Sequence, residues 1–131
     1  MKQNKLSPTN QKVIDLLRRT QKPMSAYDIL AKLGRYGLRA PPTVYRALDQ
    51  LMKQGMVHKI ESLNAFAACC NHEGHAGISQ FAICDNCGTA EELKDETLTR
   101  AIAKSKPEFL QQIHHQTLEI SGLCHGCARV A

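Results

Sequence analysis

The sequence predicts an α+β chain, with an N-terminal winged helix-turn-helix followed by a small α/β domain closed by a structural zinc site. Three observations carry that prediction. Residues 8–54 hold three helical apolar repeats bounded by Ser, Pro and Gly, and a pair of short extended runs follows them. Charge is divided along the chain. Residues 1–60 carry twelve Lys/Arg against three Asp/Glu, a net +9, whereas residues 61–131 carry five against nine, a net −4. Finally, four of the six cysteines form two Cys-x-x-Cys pairs with 36 residues between them.

At 131 residues the chain has room for one ordinary domain or two small ones. The spacing predicts residues 1–70 as the winged helix, 71–79 as a hinge and 80–131 as the zinc-stapled domain. Hydrophobic content of 43 % with 22 % charged residues is globular rather than disordered. No apolar run approaches a membrane span, and no signal-peptide core follows the basic start, so a cytoplasmic protein with no membrane partner is expected.

Ser7-Pro8 reads as an N-cap with proline where a missing N–H costs nothing, opening a helix from Pro8 or Thr9 to Arg19 on Val13, Ile14 and Leu17. A second helix starts at Ser25 and buries Ile29, Leu30 and Leu33 before Gly34 ends it. The third is expected over Pro42–Gln54, with Val44, Leu48 and Leu51 facing the core and Gly55 at its close. The extended runs 57–62 and 65–69, separated by Leu63-Asn64, form a hairpin. In the second half, strands are expected at Phe81–Cys84 and Thr89–Leu93. A helix opening at Asp95 or Glu96 and ending before Pro107 follows, and then β-like alternation over residues 117–121.

Three helices with a basic third one, then a hairpin, is the order of a winged helix whose third helix enters the major groove of DNA. Arg46 suits a bidentate pair with guanine, and Thr43 and Tyr45 suit a phosphate or a thymine methyl. Spacing alone fits a solvated helix on an ordinary three-helix core equally well, and the +9 charge tips the reading toward duplex DNA.

In a reducing compartment, paired cysteines point to metal before disulfide. Cys84, Cys87, Cys124 and Cys127 can place four thiolates tetrahedrally around one Zn²⁺, a staple that supplies stability a core of about 60 residues lacks. Redox dithiols or an iron–sulfur centre are the weaker readings. Cys69, His58, His72, His75 and Glu92 are not consumed by that site. If His58, Cys69, His75 and Glu92 converge, they form a second metal site joining wing, hinge and acidic half, with Cys70 and His72 as substitutes. Lone histidines are more often plain surface groups.

Ser25-Ala-Tyr-Asp-Ile-Leu, Pro41-Pro-Thr-Val-Tyr-Arg-Ala-Leu48, Gly55-Met-Val-His-Lys-Ile-Glu-Ser62 and the paired knuckles together resemble the ferric-uptake-regulator superfamily, over residues 6–127. The ending Leu-Glu-x-x-Gly-Leu-Cys is similar to its zinc-uptake-regulator branch. The resemblance implies a homodimer joined through the second domain, which represses zinc-import genes by binding an AT-rich inverted repeat when zinc is plentiful. It implies one structural and one regulatory zinc per subunit. Cys84, Cys87, Cys124 and Cys127 match the structural ligands, and His58, Cys69 and Glu92 match regulatory ones. His75 or His72 matches the remaining ligand, and Tyr45 and Arg46 match the DNA-contacting pair. His115 matches a histidine of an additional metal site, for which no acidic partners stand out in the sequence. Where relatives carry Pro-x-Arg on the first helix this chain has Pro8-Thr9-Asn10, so that phosphate or minor-groove contact is expected either to be lost or to shift to Lys5 or Lys12.

A thiolate among the regulatory ligands favours zinc over the iron or manganese sensed by other members, or over a peroxide-responsive centre. No His-Glu-x-x-His run is present and both knuckles are consumed by structural zinc. An enzyme with a small-molecule substrate is therefore not expected.

Overall fold

The structure, a computed structural model, describes residues 5–20, 22–69 and 78–130. The chain divides into two compact units, Met1–Gly74 and His75–Ala131.

In the first unit, helix α1 spans Pro8–Arg19, α2 spans Ala26–Leu33 and α3 spans Pro41–Lys53. Each start has a local cause. The Ser7 hydroxyl accepts the Asn10 N–H, and the Ser25 hydroxyl accepts the Asp28 N–H, both at 3.1 Å. Such caps are worth about 1 kcal/mol each. Helix α3 has no side-chain cap and begins instead on Pro41 and Pro42, whose fixed φ suits a first turn. It starts one residue before the expected Pro42.

Strands β1 (Val57–Ile60) and β2 (Ala65–Ala68) pair antiparallel around a tight turn at Glu61–Leu63. Asn64 closes that turn at φ +47°, a left-handed conformation that asparagine tolerates better than other side chains. Met24, between α1 and α2, exchanges both backbone hydrogen bonds with Phe66 at 3.0 and 2.7 Å, which fastens the wing to the helical body. Val13, Ile14, Ile29, Leu33, Val44, Leu48, Leu51, Val57 and Phe66 form one buried cluster. Each large aliphatic side chain there stabilises the fold by about 1.5–3 kcal/mol.

The second unit is a three-stranded sheet in the order β4-β3-β5, made of β3 (Ile78–Cys84), β4 (Ala90–Glu92) and β5 (Gln116–Gly122). Strand β3 begins at Ile78, earlier than the expected Phe81. Its pairing with β4 is antiparallel and its pairing with β5 is parallel. Helix α4 (Glu96–Lys104) starts on the Asp95 carboxylate, which accepts the Leu98 N–H at 3.1 Å. It is tied to the sheet by a 2.6 Å hydrogen bond from Gln80 to the Thr99 hydroxyl. A four-residue helix α5, His125–Ala128, was not foreseen from the sequence. Among the described residues no helix is long and apolar enough to cross a membrane.

Candidate metal centres and recognition helix

The parallel pairing of β3 with β5 places both strand ends on the same side of the sheet. Cys84 stands opposite Gly122, and the two knuckles that follow these strands therefore meet. The first knuckle turns through Gly88 at φ +74°, where its N–H donates to the Cys84 carbonyl at 3.0 Å. The second is α5 itself, with Cys124 as its N-cap.

The sulfurs of Cys84, Cys87, Cys124 and Cys127 all lie within 4.8 Å of one another, and Cys87 and Cys124 are 3.9 Å apart. A tetrahedral Zn²⁺ with about 2.3 Å bonds requires sulfurs about 3.8 Å apart, so the residues fit the ion. Donors surround the sulfurs. The Cys124 N–H donates to Cys84 Sγ at 3.4 Å, the Cys127 N–H to Cys124 Sγ at 3.4 Å and the Asn86 amide to Cys127 Sγ at 3.3 Å. The Thr89 hydroxyl lies 3.1 Å from Cys87 Sγ.

These donors order the ionisations. The backbone N–H groups of Cys87 and Cys124 lower the Cys84 thiol from its ordinary 9.0 to about 6. The Thr89 hydroxyl lowers Cys87 as well. The Asn86 amide acts in the same sense on Cys127, but the neighbouring sulfurs outweigh it and push that thiol up to about 11. Four thiolates cannot share this space without a cation to hold them.

The wing positions a second pair of donors. In the β1–β2 ladder His58 stands opposite Ala67, so Cys69, two residues further on, falls on the same face. The Cys69 N–H donates to the Met56 carbonyl at 2.8 Å and carries the pairing one step past β2. His58 is buried, and its ring nitrogen lies within 4.8 Å of the Cys69 sulfur. Glu92 is half-buried at the end of β4 in the second unit. His72, His75, Cys70 and hinge positions 71–77 lie outside the described residues. His115 is exposed and belongs to neither of the metal-ligating groups found among the described residues.

On α3, Tyr45 and Arg46 are exposed and Thr43 is half-buried. Lys5 is exposed. Lys12 is turned toward the Gly34–Tyr36 turn, with its ammonium 3.4 Å from the Tyr36 carbonyl and 6.0 Å from the ring centroid. One contact that periodicity could not reveal joins α1 to α3, a 2.8 Å hydrogen bond from the Asn10 amide to Gln50 Oε1.

The model of the Ferric uptake regulator family matches residues 1–121. The Zinc uptake regulation protein of Escherichia coli (strain K12) is 35 % identical over 127 residues, covering 96 % of this chain and 74 % of that protein. The crystal structure of holo XcZur aligns with a TM-score of 0.80 at 42 % identity, over 95 % of this chain and 87 % of the other. A zinc uptake regulator complexed with zinc and DNA aligns with a TM-score of 0.77 at 35 % identity, over 96 % and 85 %. The chain belongs to the ferric uptake regulator family, and its likeness is to the zinc uptake regulators within it. Proteins of that family are transcription factors, not enzymes.

Proposed function

We propose that this chain is a zinc-responsive transcriptional repressor that binds an AT-rich inverted-repeat operator as a homodimer and controls zinc-uptake genes. The observation that carries the reading is the His58–Cys69 pair, an imidazole and a thiol set on one face of the wing. With Glu92 and His75 (or His72 in its place) they make a nitrogen, sulfur and oxygen donor set suited to Zn²⁺. When bound there, zinc supplies a cross-link between the wing and the second unit. Cys84, Cys87, Cys124 and Cys127 hold the structural ion.

Thr43, Tyr45 and Arg46 would face the major groove, with Lys5 and Lys12 on the phosphates. The homodimer is supported by the second unit's surface. Helix α4 buries none of its residues, and the edge strand β5 exposes Ile120 at 52 % with Leu123 beyond it at 53 %. An open hollow of about 340 Å³ beside them is lined by apolar Ala82 and Ile83 and by polar Glu91, Ser121 and His125. An apolar sheet edge of this kind is stabilised by pairing with a second copy.

The test is metal selectivity. Protein holding only its structural zinc should regain binding to its own upstream DNA with Zn²⁺. Stronger recovery with Fe²⁺ or Mn²⁺ at matched free concentration would replace zinc sensing by iron or manganese sensing.

A further inference from the structure

Asn10 sits in the first turn of α1 and is only 5 % exposed, which is unusual for a side chain that can make several hydrogen bonds. Its backbone is pinned by the Ser7 cap, and its Nδ2 donates to Gln50 Oε1 at 2.8 Å. Gln50 itself is exposed on α3, four residues after Arg46 and seven after Thr43. That spacing aligns the three side chains along one strip of the helix.

An exposed glutamine ordinarily samples many rotamers, and ordering it opposes binding. Here the bond to a buried, immobile amide does the ordering in advance. It also selects which end of the carboxamide faces outward. With Oε1 accepting from Asn10, the other arm of the amide, Nε2, is left to donate. A glutamine that reads adenine uses its oxygen and its amino group together. A glutamine presenting only N–H groups favours edges made of acceptors alone, guanine N7 and O6 or thymine O4, over adenine, whose N7 acceptor lies beside its N6 amino donor.

We propose that Gln50 is a specificity-determining contact, donating from Nε2 to an acceptor edge of one base in each half-site, and that Asn10 is the positioning residue that sets its orientation. The inference rests on the proposed entry of α3 into the major groove.

The experiment selects bound sequences from a randomised duplex library with full-length, zinc-loaded protein and reads base preference at each position. Gln50→Ala should weaken the preference for guanine or thymine at one position per half-site by about fivefold, leaving the others intact. Asn10→Ala should lose preference at that same position, and adding it to Gln50→Ala should change nothing further. Asn10→Asp can only accept, so it should draw Nε2 inward and turn Oε1 outward. Preference at that position should then shift to adenine or cytosine, whose major-groove amino groups donate.

Selection by Gln50→Ala identical to the wild type overturns the inference, and so do effects of the two Ala changes that simply multiply. Gln50 is at the surface, so its variant remains informative even if Asn10 variants unfold. Arg46→Ala separates the levels. If it abolishes selection while Gln50→Ala does not alter it, the groove reading stands and this contact falls. If Arg46→Ala also leaves selection unchanged, both fall.

Discussion

Cys84 and Gly122 are partners in the parallel ladder of β3 and β5, and Cys124, two residues beyond Gly122, donates its N–H to the Cys84 sulfur at 3.4 Å. Strand register and metal geometry are thus one constraint. Cys124→Ser should release one zinc per subunit and remove the cooperative unfolding of the second unit, while the apolar cluster around Val13, Val44 and Leu48 stays folded. Zinc content and methyl NMR of the full chain check this. Retention of the ion would place the fourth ligand elsewhere.

Ionisation of the knuckles predicts a pH dependence. A thiol whose folded pKa is about 6 against an ordinary 9.0 contributes stability that is complete above pH 9 and lost as the pH falls toward 6. The metal-free chain should therefore become more stable between pH 6 and 9. Cys127, raised to about 11, acts in the opposite sense between 9 and 11, so stability should pass through a maximum near 9. Denaturant titrations across this range, under reducing conditions with chelator, read the curve. Stability independent of pH between 6 and 9 would contradict the donor arrangement around Cys84.

The wing turn carries a local prediction. Asn64 lies at φ +47°, and alanine there should cost about 1 kcal/mol whereas glycine should be close to neutral. Urea midpoints of the two variants separate a left-handed backbone preference from a side-chain contact, which both would lose equally.

Ile120 is half-exposed on the edge strand β5. Ile120→Glu should convert a dimer to a monomer in sedimentation velocity, with structural zinc retained. A monomeric wild-type protein at micromolar concentration would remove the basis for two-fold operator recognition.

Much of the first unit was legible in the sequence because its signals are local. Ser7, Ser25 and the Pro41-Pro42 pair mark helix starts, and Val44, Leu48 and Leu51 repeat at the period of the helix they form. The thiolate site was legible from spacing alone. What the sequence concealed is long-range. Nothing local says that β5 runs parallel to β3, because that pairing joins residues 38 apart, such as Ile78 and Gln116. The Asn10–Gln50 bond spans 40 residues and links polar side chains of two different helices, a pairing that the periodicity of either helix does not reveal. The four-residue α5 is too short for a repeat to register. The second unit's core was harder to read because Leu98, Ile102 and Leu118 are only half-buried and Phe109 is exposed.

Zinc sensing by this chain depends on Cys69 sharing an ion with His58. The most direct measurement is operator binding by fluorescence anisotropy against buffered free zinc, for the wild type and Cys69→Ser, each already holding its structural zinc. The prediction is a steep rise for the wild type and a flat response for Cys69→Ser. Superimposable curves, or wild-type binding indifferent to free zinc, would contradict it.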